Sequence, residues 1–429
     1  MEALAKVHSL ILQGYKPCID TRKVEGKCIF FALKGENFDG NAFAKDALAK
    51  GAYLAICDDP SLKGKLNIEY VPNTLTFLQN LAKFHRQSLN IPIVGLTGSN
   101  GKTTTKELLL KILSTQHNTF ATQGNLNNHI GVPLSILSIT AKHHIAVIEM
   151  GANHIGEIET LCSIAQPTHG LITNIGKAHL EGFGSFEGVK KAKSELYQFL
   201  AANKGVVFVN DKNQVLNNLI YQYNFSSIVG YNNQTISAKV LPSKNNFLNL
   251  EVDINGKKAR LSTQMVGEYN IENIIAAISV GQYFGVDIES CLTAIENYVP
   301  TNSRSQIIET EHNTIVLDAY NANPSSMELA LLNFNAIQHK KSKTVIIGEM
   351  LELGGYAKTE HERIYRLAKE LFSKVFTVGE NYRNISSSKH WFAKASDLKC
   401  HLIEEPIVNQ FILLKGSRGV KLEELLDVL

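Results

Sequence analysis

Eight consecutive residues carry the strongest chemical signal in this 429-residue chain: Thr97-Gly98-Ser99-Asn100-Gly101-Lys102-Thr103-Thr104. Glycines at 98 and 101 let backbone N–H groups turn inward as a nest for anions. Lys102 could reach the outer phosphates of a nucleotide, and the Thr103 hydroxyl could ligate Mg2+, while a helix beginning here adds partial positive charge. The spacing is G-x-x-G-K-T rather than the common G-x-x-x-x-G-K-[ST], since position 96 is Leu. A phosphate loop for ATP is expected at Gly98 to Thr104.

A phosphate loop works with a divalent cation, so acidic or imidazole groups are expected at neighbouring strand ends. Glu149 follows the apolar run 145–148, and His179 follows 170–173; both would lie where ligands gather in open α/β sheets. Lys193, within Lys190-Lys191-Ala192-Lys193, reads by itself as part of a solvated, charged helix face. Asn127 and Asn128 read as a polar loop.

The elements that must hold these groups follow from the apolar pattern. Runs at 91–96, 145–148, 170–173 and 206–209 read as buried strands, with a helix over 103–113. Such alternation indicates a mostly parallel sheet covered on both faces. Residues 222–266, richer in Asn, Ser and Thr, read as an antiparallel excursion, and a helix resumes near Asn270. Strands at 315–317, 344–347 and 375–378 alternate with helices after Asn323-Pro324 and around 361–371. Asn323 as N-cap with Pro324 behind it is a well-formed helix start. Three α/β units are expected: 1–88, 89–302 and 303–429, with a boundary where Pro300 and small polar residues interrupt the pattern.

Composition narrows the function classes. A formal net charge of +3, without a long basic run, gives no reason to expect a nucleic-acid partner. The six cysteines are scattered without metal spacing, as expected of buried small side chains in a reducing compartment. No apolar run approaches the ~20 residues of a membrane span. The residues after Met1 do not resemble a signal peptide. A cytoplasmic protein, acting as a monomer, is the expectation.

In order, these segments resemble the Mur ligase family: 97–104, then Asn127-Asn128-His129-Ile130-Gly131-Val132-Pro133, Glu149-Met150-Gly151-Ala152-Asn153, and Thr173-Asn174-Ile175-Gly176 with His179. Gly267 to Asn273 and Asp318-Ala319-Tyr320-Asn321-Ala322-Asn323-Pro324 continue the match. Residues 19–22, 31–40, 348–354 and 415–418 resemble the family's last amide ligase, which adds D-alanyl-D-alanine to UDP-N-acetylmuramoyl-tripeptide through an acyl phosphate. No Asp-Asn-Pro-Arg-like motif for a free amino acid is present.

The resemblance implies a small N-terminal α/β domain for the UDP-substrate, a central P-loop ATPase-like domain with a mostly parallel sheet, and a Rossmann-like α/β C-terminal domain. It also implies roles. Gly98, Ser99, Asn100, Gly101, Lys102, Thr103 and Thr104 would hold ATP, with Asn270 and Asn273 facing adenine. Arg304 and Asp318 would close on phosphates and ribose. Thr103, Glu149, His179 and Lys193 would hold two Mg2+, with Lys193 carbamylated by CO2, against its reading as a solvated side chain. Lys102, Lys193, His179 and Asn128 would form the catalytic set. Asp20, Thr21, Arg22, Asn127 and Asn128 would contact the UDP-substrate. Tyr269 departs from the His that the family often carries.

Overall fold

The computed structural model describes residues 2–243, 246–301 and 304–429, so the expected boundary at 302/303 falls on Asn302 and Ser303, outside the described residues.

Three main sheets follow one another along the chain. The first is four-stranded and parallel, in the order Lys16–Cys18, Cys28–Phe31, Leu54–Cys57, Ile68–Tyr70. Helices Glu2–Leu12 and Thr74–Ser88 pack against each other beside it. The second sheet has six parallel strands in the order Ser227–Tyr231, Val206–Asn210, His169–Ile172, Ile93–Thr97, Ile145–Glu149, Thr119–Ala121. Strand Ile93–Thr97 is buried along its whole length, as its unbroken apolar run predicts. It lies between strands reached by separate crossovers. The loops after 97, 149 and 172 therefore open into one crevice at the carboxyl ends.

Only part of 222–266 is antiparallel. Ile236–Leu241, Asn249–Ile254 and Lys257–Ser262 form a three-stranded antiparallel sheet, but Ser227–Tyr231 extends the parallel sheet beside Val206–Asn210. The short run Ile228-Val229-Gly230 lacks a period that distinguishes the two pairings.

The third sheet runs Gln306–Glu309, Thr314–Asp318, Gln410–Lys415, Ser342–Gly348, Lys374–Val378, Trp391–Phe392, with only the first strand antiparallel. Helix Pro324–Ala336 begins with a capping box between Asn323 and Ser326. Helix Ala357–Leu371 buries Glu360, His361, Ile364 and Ala368, a stripe of helical spacing.

Helix Lys102–Leu113 packs on helix Asn270–Tyr283 at close range. Gly281 permits this: a Cβ there would stand 2.4 Å from Ile112 Cγ2.

Candidate active site

The loop at 98–101 is held open by its own sequence. Gly98 (φ 146°) and Gly101 (φ 79°) adopt the conformations that glycine favours. A Cβ on Gly98 would lie 2.0 Å from Thr173 Oγ1, and one on Gly101 2.4 Å from Asn273 Oδ1. Asn174 grips the turn from the next strand. Its Oδ1 accepts from Asn100 N–H at 3.0 Å and its Nδ2 donates to Asn100 O at 3.0 Å. Lys102 Nζ donates back to Gly98 O (2.6 Å) and Ser99 O (3.2 Å). Burial lowers its pKa from the ordinary value; Glu149 opposes the shift and Arg304 adds to it.

Glu149 ends the adjacent strand and is 1% exposed. Its Oε1 accepts from Asn127 Nδ2 at 2.8 Å and from Thr103 Oγ1 at 3.3 Å. Its Oε2 has no hydrogen-bond partner among the described residues. A buried carboxylate oxygen left unpaired is costly unless a cation meets it, and a carboxylate beside the Thr103 hydroxyl is a hard-oxygen pair that suits Mg2+.

Lys193 is not on a solvated face: it is 1% exposed. Val189, Leu196 and Leu200 are buried on the same helix, Phe186–Ala202, so Lys193 occupies a position of the apolar stripe. That spacing was the signal in the sequence, masked by the run of charges around it. Its Nζ reaches only Ala152 O, at 3.4 Å, and stands 5.3 Å from the Phe183 ring centre. Burial, reinforced by Lys102, pushes its pKa down to about 7, against the pull of Glu157 and Glu195. Burial thus favours the neutral amine over the ammonium.

One cavity of about 710 Å3 brings together most of the expected residues. Ser99 to Thr104, Asn127, Asn128, Glu149, His179, Asn270, Asn273, Arg304 and Asp318 line it. Asn270 and Asn273 are linked (3.0 Å), and Thr105 Oγ1 donates to Asn273 Oδ1 (3.1 Å), tying that helix to helix Lys102–Leu113. Asn128 Oδ1 accepts from the N–H groups of Ile130 and Gly131, so it shapes the turn into helix Gly131–Leu137. His179 pairs through Nδ1 with Glu352, in the loop after strand Ser342–Gly348. Asp20, Thr21 and Arg22 lie elsewhere, at the edge of the first sheet, where Asp20 caps a short turn and binds the Arg22 guanidinium.

The third sheet and the segment leading into it supply cations to the cavity. The Arg304 guanidinium lies 3.8 Å from the Tyr320 ring centre, and its buried Nε has no partner among the described residues. Asp318 Oδ2 accepts from the buried Lys415 ammonium at 2.7 Å. Lys415 carried no assigned role in the sequence, although it stands in one of the resembling stretches. Tyr269, the departure noted above, lines the cavity and hydrogen-bonds Ser305 through its hydroxyl.

Of the six cysteines, none forms a disulfide; four are buried, Cys18 is half-buried and Cys400 is exposed. Among the described residues no helix is long and apolar enough to cross a membrane.

Three family models match in succession: the Mur ligase family catalytic domain at 18–87, the Mur ligase middle domain at 96–281, and the Mur ligase glutamate ligase domain at 303–412. The UDP-N-acetylmuramoyl-tripeptide–D-alanyl-D-alanine ligase of Bacillus subtilis is 34% identical over 95% of this chain and 91% of that protein. The Escherichia coli enzyme of the same name is 34% identical over 96% and 92%. Among solved structures, MurF from Acinetobacter baumannii superposes with a TM-score of 0.86 at 29% identity, covering 99% of this chain and 97% of that one. MurF ligase from Thermotoga maritima in complex with ADP gives 0.84 at 26% identity, covering 98% and 97%. Matched from its first sheet to its third, and aligned nearly end to end with these relatives, the chain belongs to the Mur ligase family.

Proposed function

We propose that this chain joins D-alanyl-D-alanine to UDP-N-acetylmuramoyl-tripeptide, consuming ATP and giving the UDP-linked pentapeptide, ADP and phosphate for peptidoglycan synthesis. The observation that carries the chemistry is the single cavity in which the phosphate loop, Glu149 and the third sheet's Arg304 and Asp318 converge. The names of the full-length relatives support the choice of substrates. We place the work in the cytoplasm, by a monomer organised as 1–88, 89–302 and 303–429.

A carboxylate is a poor acyl donor because an oxide leaves badly. Phosphorylation replaces that leaving group. The loop N–H groups and Lys102 hold the outer phosphates, exchanging the carbonyls of Gly98 and Ser99 for phosphate oxygens. The peptide carboxylate oxygen then bonds to the γ-phosphorus as the bond to ADP breaks. The dipeptide amine adds to the resulting acyl phosphate and loses a proton, and the tetrahedral intermediate expels phosphate. Arg304 spreads the developing charge. Asn270 and Asn273 face the adenine, Asp318 the ribose, and Asn128 the UDP-substrate, whose uridine end lies towards Asp20 to Arg22.

Mg2+, two ions in this reading, would supply charge neutralisation and phosphate alignment, held by Thr103, Glu149, His179 and a carbamate on Lys193. The orphan Oε2 of Glu149 suits one such ion. The neutral Lys193 amine adds to CO2, forming an N–C bond and releasing one proton. The product is a buried anion suited to a metal where an ammonium is not. Lys193→Ala should cut ligation about a thousandfold or more while ADP still binds. With 13C-bicarbonate, a carbamate resonance should appear in the parent and be missing from the variant; a fully active variant would remove this role.

The test of the whole reading is to mix the pure chain with ATP, Mg2+, the UDP-tripeptide and D-alanyl-D-alanine, and to weigh the products. Pentapeptide should appear, and phosphate release should collapse when the dipeptide is omitted. Steady phosphate release without an acceptor would instead describe a simple ATPase.

A further inference from the structure

Asn323 has two neighbours that its place at a helix start does not require together. Its Oδ1 accepts from Ser326 N–H at 2.9 Å, closing the first turn of helix Pro324–Ala336. Its Nδ2 donates to Asn100 Oδ1 at 2.8 Å, across to the phosphate loop. The cap fixes which end of the amide faces the loop, since only the oxygen can accept from Ser326. Asn100 must then present its own oxygen. The Asn100 backbone is already taken by Asn174 and by Thr173 Oγ1, which donates to Asn100 O at 2.6 Å. Only the Asn100 side chain is left to reach the third sheet. Asn323 is 6% exposed, so water competes little for this contact. Next to it, Lys177 N–H donates to Ser325 Oγ at 3.0 Å, and Gly176 approaches so closely that a Cβ would lie 2.9 Å from that oxygen.

We propose that Asn323 is a positioning residue that registers the third sheet on the phosphate loop, through Asn100, so that Arg304 and Asp318 arrive at the nucleotide only when the loop is correctly formed. This rests on the ligase reading above. It separates two functions of one side chain: the oxygen caps a helix and the nitrogen aligns two sheets.

Serine divides them, because its hydroxyl caps a helix as well as Asn does but is too short to reach Asn100. Asn323→Ser should leave the melting temperature close to that of the parent and ADP affinity within roughly twofold, while kcat for ligation falls roughly tenfold. Asn323→Ala should show the same kcat loss with a lower melting temperature. The Asn100→Ser/Asn323→Ser double variant should lose no more in kcat than the more affected single variant, as expected of two residues acting through one bond. Parental kcat in Asn323→Ser, or losses that multiply in the double variant, would overturn the proposal. Absence of pentapeptide from the parent chain would instead sink the ligase reading and this inference with it.

Discussion

Helix Thr74–Ser88 meets the central layer through buried groups aimed at backbone. Arg86 donates from Nε to Ala165 O (3.0 Å) and from Nη2 to Gln166 O (3.1 Å), and His85 Nε2 meets Ile139 O at 2.8 Å. Apart from the buried Asn323–Asn100 bond, the third unit meets the same central layer mainly through contacts that each have an exposed partner. The half-exposed Lys177 pairs with the buried Glu360 at 2.7 Å, His179 with Glu352, and Tyr356 Oη reaches Gly184 O at 3.4 Å. A buried arginine bound to carbonyls is expensive to release, whereas an ion pair whose cation stays half in water costs less, about 1 kcal/mol. The first seam is built to stay shut. The second can part and re-form at small cost, which suits an enzyme that must admit nucleotide and peptide and then exclude water from an acyl phosphate.

The largest effect should come from the fixed seam. Arg86→Ala strands two carbonyls of the central layer and should cost about 2–4 kcal/mol of stability, read by chemical denaturation. Its kcat below the melting range should be unchanged. A large loss of kcat with parental stability would contradict the division of labour between seams.

A smaller effect should follow acid. His8 Nε2 lies 3.1 Å from His85 Nδ1, and since His85 Nε2–H must donate to Ile139 O, its Nδ1 accepts from His8. Burial lowers the pKa of both rings from 6.5. The unfolded chain therefore takes up protons first as pH falls. Their contribution is fully present above about pH 6.5 and is lost as pH drops below it, towards the depressed folded values. Melting temperatures recorded from pH 7.5 to 5.5 should decline, and His85→Asn should flatten that decline. An unaltered slope would remove the pair from the account.

The smallest effect on stability belongs to the movable seam. Lys177→Ala leaves the buried Glu360 with its second partner, Arg363 at 2.8 Å, and so should cost only about 1 kcal/mol and change kcat by a few fold, with the difference from the parent shrinking in high salt. A loss as large as that of Arg86→Ala would mean that this seam, too, is fixed.

The contrast between the seams was not legible in the sequence, for a physical reason. Arg86 and His85 sit in Phe84-His85-Arg86-Gln87, where nothing local says that the guanidinium turns inward, because two of its three acceptors are carbonyls about eighty positions away. The phosphate loop was legible because its chemistry is local: two glycines, a lysine and a threonine between an apolar strand and a helix. Glu149 was legible from its place at a strand end. Lys193 was misread from its charged neighbours, although the spacing of Val189, Leu196 and Leu200 placed it on the buried stripe. Asn323 was legible as a helix cap, but its bond to Asn100 depends on how two sheets meet.

The central claim is that the γ-phosphoryl group passes to a peptide carboxylate rather than to water. It is tested most directly with UDP-muramoyl-tripeptide whose acceptor carboxylate carries 18O, incubated with the chain, ATP, Mg2+ and D-alanyl-D-alanine. The account predicts one labelled oxygen in each released phosphate, in step with the amide formed. Unlabelled phosphate from the labelled peptide, with 18O entering phosphate only from labelled water, would contradict it.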